Sequence, residues 1–501
     1  MRNTSRPLLA SIVLIALFAA PSRGSSTIEA VRFSEDNERI RIVFDLAGDA
    51  RPLWRGEGGR LRIDFPDTVI RRGIKISQFK KNPVLEKITL SGNYESSQAD
   101  IYLSFPSYVK IYPLFYPARL VVDLWKNLKE FERRSVSPGM EYIRIAKTTE
   151  SGPALGSILR VNPKFFSVTP ALATGREYEP SFLESVMLFF RPVFPWVEER
   201  ITHYHKQTVL DIAGREGALA AVNGTYFDKD GRPLGILMIN GELITAPIYD
   251  RTALIISDDG KPFIDNVLVR TYLLAQGNFK IYVTAINEPA DESDIALYTP
   301  KYGKKTGTKG FREVVVKGGE ISEMSGGNSE IPREGYVISA GKRFEKLFLE
   351  NLREGERVEL KIDLMPYSIN GAENFMQIVG GGPRLIKAGR IYVSKKEEKF
   401  KRDIAATRAA RTAVGLTADG HLLFVTIDKT TRVRGGGGLT QSNGMSLEEL
   451  SELLLGLGAV DAVNLDGGGS ATMVVSGEVV NVPAAGYAIP ISNAILLKPK
   501  I

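Results

Sequence analysis

Hydrophobic and polar residues alternate with a period of two along long stretches of this chain. Ile40 and Ile42 alternate with Arg39 and Arg41, and in "AVNLDGGGSATMVV", residues 462–475, Val463 and Leu465 alternate with Asn464 and Asp466. In a strand, residues two apart share a face. The second stretch therefore sends two apolar side chains into a core and aims an amide and a carboxylate together to the other side, beside three glycines. Asp-Gly is also a common hairpin turn, so the stretch has two readings, a turn or a site.

The alternation organises the N-terminal part as a repeat. "RIRIVFDLAGDARPLWRGEGGRLRIDFPD" (Arg39 to Asp67) matches "ADIYLSFPSYVKIYPLFYPARLVVDLWK" (Ala99 to Lys126), each ending in a segment of the form Arg-Leu-x-[Ile/Val]-Asp-[Phe/Leu]. Short strands of period two repeated in this way predict a small all-β sandwich over residues 25–126. The charged "NLKEFERRSVSPGM" that follows, residues 127–140, is expected to be a linker. A second domain is expected over residues 141–501, opening with strands at "YIRIAK" and "GSILRVNP". A helix over "TVLDIAGREG" leads into the strand "ALAAVN", and Ser446 and Glu449 form a capping box opening another helix. Between them a β-rich subdomain is read as inserted over about residues 261–367, with one helix near Phe344 to Asn351. These elements together predict a mixed α+β domain. The apolar segment from Tyr178 to Gln207, broken by Pro192 and Pro195, reads as a helical excursion packed on the sheet, with a lid or membrane-surface element as the alternative.

Composition narrows the chemistry. The chain has 501 residues and no cysteine, which excludes disulfides, thiolate metal sites, a cysteine nucleophile and a lipoprotein anchor. Its three histidines leave most general-base work to carboxylates. The net charge of +7 suits an anionic polymer, and no arginine-rich segment interleaved with aromatics points to nucleic acid. Arg2 and Arg6 precede a short apolar run, Leu8 to Ala20, and the small residues of "PSRGSS". This predicts a signal peptide over residues 1–24 and an exported protein of the periplasm or cell envelope, with an uncleaved anchor as the alternative. The run is short of the roughly 20 residues a span needs. No later segment reaches that length, so no membrane span is expected after cleavage.

Three glycine clusters, Gly380 to Gly382, Gly435 to Gly438 and Gly467 to Gly469, fall at the polar ends of expected strands. Asn223 and Asn464 are strand-end amides, Arg411 starts a strand, and Asp428 ends one. "RVRGGGGLTQSNG", Arg432 to Gly444, opens the capped helix and reads as an anion-gripping flap or a disordered one. It lacks the lysine of a P-loop. The sequence around Ser470 lacks the closing glycine of a nucleophile elbow. Carboxylates with an arginine and amides suit glycoside or phosphoester chemistry.

On "VNGTYFD", "GGGPRL", "RTAVGL" and "SNGMSLEELSELLLGLGAVDAVNLDGGGSATM", the region from about Tyr142 to Ile501 resembles the phosphodiester glycosidase family. The resemblance implies hydrolysis of a sugar 1-phosphodiester, such as an N-acetylglucosamine-1-phosphodiester, at the anomeric carbon. It implies a site with Asp466, Asp228 and Asp428 as catalytic carboxylates. Asn223, Arg411, Asn464 and Ser470, with Gly467, Gly468, Gly381 and Gly382, would lie around the substrate. The family usually has Asp-Gly-Arg where this chain has Asp428-Lys429-Thr430, and often Gly-Gly-Phe-Phe where it has Gly224-Thr225-Tyr226-Phe227. No cofactor is required by these motifs, and a divalent cation is the one metal they leave open. The N-terminal repeat resembles the AMIN domain, which implies association with peptidoglycan. The expectation is an exported hydrolase held at the cell wall and acting on an envelope glycopolymer or glycoconjugate. A non-catalytic glycan-binding or exopolysaccharide-assembly factor is the rival.

Overall fold

The computed structural model describes residues 26–36, 38–57, 60–76, 84–93, 95–103, 109–149, 151–174, 204–368, 374–401, 404, 406–430, 438–439 and 442–500. The expected signal peptide, nearly all of the 178–207 segment and most of the Arg432–Gly444 loop lie outside these residues. The chain divides into two compact units, one of residues 1–36, 40–104 and 110–123, the other of residues 37–39, 105–109 and 124–501.

The first unit is built from two sheets. One orders the strands Val109–Phe115, Ala118–Trp125, Arg39–Ala47, Ser26–Glu35 and Thr68–Ile76; the other orders Leu53–Glu57, Arg60–Pro66, Ser96–Leu103 and Leu85–Gly92. The period-two positions go where the alternation puts them. Ile40, Ile42 and Phe44 are buried on one strand and Leu61, Ile63 and Phe65 on another, and the Phe44 and Phe65 rings meet between the sheets at 5.4 Å. Arg41, on the opposite face, is not simply solvated: it grips Asp123 at 2.7 and 2.8 Å.

The second unit is β-rich, which corrects the expectation of a mixed α+β domain. Its described α-helices are Val209–Arg215, Glu345–Asn351 and Leu447–Gly456, the last with the Ser446–Glu449 capping box in place. The rest is sheet. The reason this was hidden is burial on both faces. The strands Thr252–Ser257 and Leu422–Ile427 are buried at every position, so they carry no alternation to distinguish them from helix segments. Residues 128–137, expected as linker, form a ten-residue strand paired with Met140–Thr149. Their charges sit on the exposed edge of an eight-stranded sheet. The order of that sheet is 128–137, 140–149, 152–161, 422–427, 411–417, 459–464, 384–387 and 390–391.

A second sheet orders Phe166–Leu172, Asn493–Pro499, Ala220–Asn223, Met473–Val475 and Glu478–Val479. A third contains the strands Leu237–Ile239, Phe375–Gly380, Thr252–Ser257 and Pro262–Leu274. One core, including Leu159, Val222, Leu254, Val414, Phe424, Val463, Leu465, Met473 and Ile495, joins all three. Antiparallel register sets Arg411 opposite Ile427 and Ala413 opposite Asn464. The start of one strand and the ends of its two neighbours therefore lie at one edge, where Arg411, Asp428 and the turn after Asn464 are found.

Candidate active site

Val463 and Leu465 enter the core as the alternation requires, and the chain then turns through Gly467 and the short helical turn Gly468–Ser470. Asp466 lies on this turn, only partly open to solvent. Its carboxylate accepts from the Gly467 amide at 2.9 Å and from the Ser470 hydroxyl. Enclosure nevertheless wins over these two donors and pushes the carboxyl up to about 6. A carboxyl that changes state near neutrality is suited to proton transfer.

Asn464 is buried one turn-step away. Its Nδ2 donates to the Tyr226 hydroxyl at 2.8 Å, to Leu465 O at 2.8 Å and to Gly382 O at 3.2 Å. Two of these partners are carbonyl oxygens, which can only accept, so the amide's orientation is fixed. Tyr226 in turn donates to Gly382 O at 2.9 Å. The result leaves Asn464 Oδ1 buried without a partner among the described residues. A buried acceptor of this kind is costly unless something donates to it. The Tyr226 hydroxyl is held protonated by burial and by the nearby Asp466 carboxylate.

Arg411 is buried at the start of its strand, and among the described residues its guanidinium donates only to carbonyls: Met445 O at 3.2 Å, Ile404 O at 3.2 Å and Thr407 O. Burial lowers its pKa while the neighbouring Tyr226 counters. A second arginine, Arg251, also lies close enough to Tyr226 to act on it. Its guanidinium sits over the Phe400 ring, 4.0 Å from the centroid, and the Phe400 and Tyr226 rings are 6.0 Å apart. Sequence reasoning missed Arg251. The signal was present: "RTALIISDDG" at 251–260 repeats "RTAVGLTADG" at 411–420, with an arginine just before one strand and at the start of the other.

The remaining expected residues serve this cluster from behind or lie apart from it. Asn223 is fully engaged: Nδ2 donates to Asp466 O at 2.6 Å, and Oδ1 accepts from the Thr412 hydroxyl at 2.7 Å and the Thr472 amide at 3.1 Å. It clamps the Asp466 turn between two sheets. Asp428 has no exposed surface. It pairs with Arg144 at 2.6 Å and accepts from Val482 N at 3.0 Å and Asn481 Nδ2 at 3.3 Å; burial pushes this carboxyl up against the pull of Arg144. Asp228 organises its own turn, accepting from Asp230 N and Arg232 N at 3.0 Å each and pairing with Arg232, which also reaches Glu288. None of its hydrogen bonds or ion pairs joins it to Asp466. Among the described residues no hydrogen bond or ion pair joins the three carboxylates to one another.

The glycines are needed for close packing of backbones. A side chain at Gly381 would lie 2.5 Å from Asn464 O, and one at Gly467 would lie 2.7 Å from Ala410 O. Their amides are occupied: Gly381 N donates to Thr252 O, Gly382 N to Asn464 O and Gly468 N to Ala410 O. The donor set does not fit a divalent cation, because Asp228, Asp428 and Asp466 are held separately. Among the described residues no three His, Asp or Glu side chains converge.

The sequence of residues 311–498 matches the model of the phosphodiester glycosidase family. That span holds Gly381, Gly382, Arg411, Asp428, Asn464, Asp466 and Ser470; Asn223, Tyr226 and Arg251 precede it. The chain is 32% identical over 164 residues to the N-acetylglucosamine-1-phosphodiester alpha-N-acetylglucosaminidase of Bos taurus, covering 30% of this chain and 29% of that protein. With the Homo sapiens protein of the same name it is 33% identical over 119 residues, 22% of this chain and 21% of that one. The chain thus matches less than a third of the length of these relatives. In fold it is similar to a hypothetical protein from Synechocystis, with a TM-score of 0.59 at 20% identity over 95% of this chain and 81% of that one. It is also similar to a protein from Burkholderia pseudomallei designated exported, with a TM-score of 0.53 at 17% identity over 90% and 96% of the two chains. Among the described residues no helix is long and apolar enough to cross a membrane. Over residues 311–498 the chain is thus similar to the phosphodiester glycosidase family.

Proposed function

We propose that the chain hydrolyses sugar 1-phosphodiesters of the N-acetylglucosamine-1-phosphodiester kind, as an exported protein acting on an envelope glycopolymer or glycoconjugate. The observation that carries this reading is one enclosed carboxyl, Asp466, on the turn whose Gly467 packs against the backbone of Arg411, a buried guanidinium with no carboxylate partner among the described residues. The names of the mammalian relatives support the substrate class.

A single carboxylate is enough for this bond. Cleavage at the anomeric carbon expels a phosphate monoester, whose second pKa is about 6. Such a group departs without being protonated when its charge is held, so the acid carboxyl of an ordinary glycosidase is dispensable. Ionised Asp466 takes a proton from a water molecule, and the water oxygen bonds to the anomeric carbon. The anomeric carbon–oxygen bond breaks, and its electron pair leaves with the phosphate. Arg411 holds the charge that develops there. Asn464 Oδ1, fixed by Tyr226, accepts from a sugar hydroxyl. Incubating the purified chain with a panel of sugar 1-phosphodiesters should release free reducing sugar and phosphomonoester in equal amounts. Glycan binding with no release from any member would favour the non-catalytic binding or assembly factor instead.

The N-terminal unit is read as an AMIN-like module that supplies location. A chain starting just before the Leu128–Ser137 strand should keep full turnover on a small soluble diester but lose binding to isolated cell-wall sacculi. Binding by the full chain should weaken with added salt, since charge attraction is screened over about 8–10 Å. A folded but inactive truncated chain would show that this division of labour is wrong.

A further inference from the structure

Buried arginines in the second unit fall into two kinds. Arg144 is paired with Asp428, and Arg384 with Asp461 at 2.6 Å and Asp265 at 3.4 Å. Arg411 and the half-buried Arg251 have no carboxylate partner among the described residues. Arg251 donates to Glu398 O at 3.1 Å and, more weakly, to Lys399 O at 3.5 Å, and it rests on Phe400. Carbonyls orient a guanidinium without neutralising it. Glu398 and Glu448, the carboxylates that act on these cations, are committed elsewhere. Glu398 accepts from the Thr252 hydroxyl, Thr252 N and Arg384 N and from Ser394, and Glu448 pairs with Lys395. An uncompensated charge withdrawn from water costs several kcal/mol, and here two are held by one stretch of chain: Arg251 by Glu398 O and the Phe400 ring, which meets Tyr226, and Arg411 by Ile404 O and Thr407 O.

We propose that Arg251 and Arg411 together form an anion site that takes the phosphate group, with Arg251 as the second ligand that sets the preference for a charged substrate over a neutral glycoside. This rests on the proposed activity for the identity of the substrate, but not for the existence of the anion site. The chemistry follows from the donor count. A guanidinium has five N–H groups in a planar fork. Arg411 uses three of its nitrogens on carbonyls with one bond each, which leaves N–H groups to give. Two such forks match the two non-bridging oxygens of a phosphodiester, one per oxygen. Arg-Thr-Ala recurs at the two arginines, just before the strand Thr252–Ser257 and at the start of the strand Arg411–Thr417, in two separate sheets. Phe400, stacked under Arg251, fixes the plane of the second fork.

The test uses inorganic phosphate and the full chain. Titration calorimetry at pH 7 should show phosphate binding that is weakened roughly 10- to 100-fold in Arg251→Gln, the range expected for losing a hydrogen bond to a charged group. Thermal unfolding of the variant should match the unaltered chain. If Arg251→Gln does not fold, Arg251→Lys, which keeps the charge but not the fork, should still bind phosphate measurably more weakly. On a sugar 1-phosphodiester the loss should fall on KM more than on kcat. Phosphate binding that is absent from the unaltered chain, or equal in the chain and its Arg251 variant, overturns the anion site. Phosphate binding that depends on Arg251, with no diester hydrolysed, would uphold the site and overturn the proposed reaction instead.

Discussion

Asp466→Asn is expected to reduce turnover of a sugar 1-phosphodiester by about 100-fold or more, the usual worth of a positioned proton-transfer group or nucleophile. KM should change little, because phosphate contacts remain. In the unaltered chain the rate should rise with pH through about 6, as the Asp466 carboxyl ionises, and then level off. A rate that falls over this range would assign Asp466 the opposite role, that of an acid. Stability should move the other way. The folded-state pKa of Asp466 is raised above the ordinary value near 3.9, so its favourable contribution is complete below that value and is lost as pH rises through about 6. Asp466→Asn does not titrate. Its melting temperature should therefore match the unaltered chain near pH 4 and exceed it at pH 7. An asparagine variant with normal turnover would return the stretch to a simple Asp-Gly turn.

Asp428→Ala is expected to fail for a different reason. Removing this carboxylate leaves Arg144, with only 10% of its side chain exposed, facing an empty space. Breaking a buried pair from one side costs about 3–5 kcal/mol, read as a lowered urea midpoint at pH 7. Replacing both partners, as in Arg144→Met with Asp428→Leu, should recover much of that loss. Turnover per folded molecule should change far less than in Asp466→Asn. An Asp428→Ala protein of normal stability but no activity would restore Asp428 to the catalytic group the motif suggested.

The contrast between these two aspartates shows what the sequence could and could not reveal. Both end a strand beside polar or glycine-rich segments, so motif and position treat them alike. What separates them is Arg144, 284 residues away along the chain, and no local pattern announces that pairing. Asn464, which ends its strand, and Asp466, on the turn just after it, were picked out by their spacing alone. The capping box at Ser446 was legible for the same local reason. Asn223 was located correctly, but its partners Thr412, Thr472 and Asp466 come from other strands, and so its work as a clamp was not. The extent of β-structure was underestimated where strands are covered on both sides, as at Leu422–Ile427, while the half-covered strands of the N-terminal repeat declared themselves. Arg251 could have been found by setting its Arg-Thr-Ala beside that of Arg411.

The strand Asn493–Pro499 lies between Phe166–Leu172 and Ala220–Asn223, and its pairings reach back across more than 320 residues, from Phe166 to Pro499. Loop closure over such distances adds only slowly to the thermodynamic cost, but high contact order makes folding slow. It also fixes the order of events on the ribosome. Asn223 cannot be locked in its sheet until that strand has been synthesised, and Asp466 takes its backbone hydrogen bond from Asn223. A nascent chain is therefore expected to have no partly active stage. Activity should arise in one late step, after the strand Asn493–Pro499 has emerged.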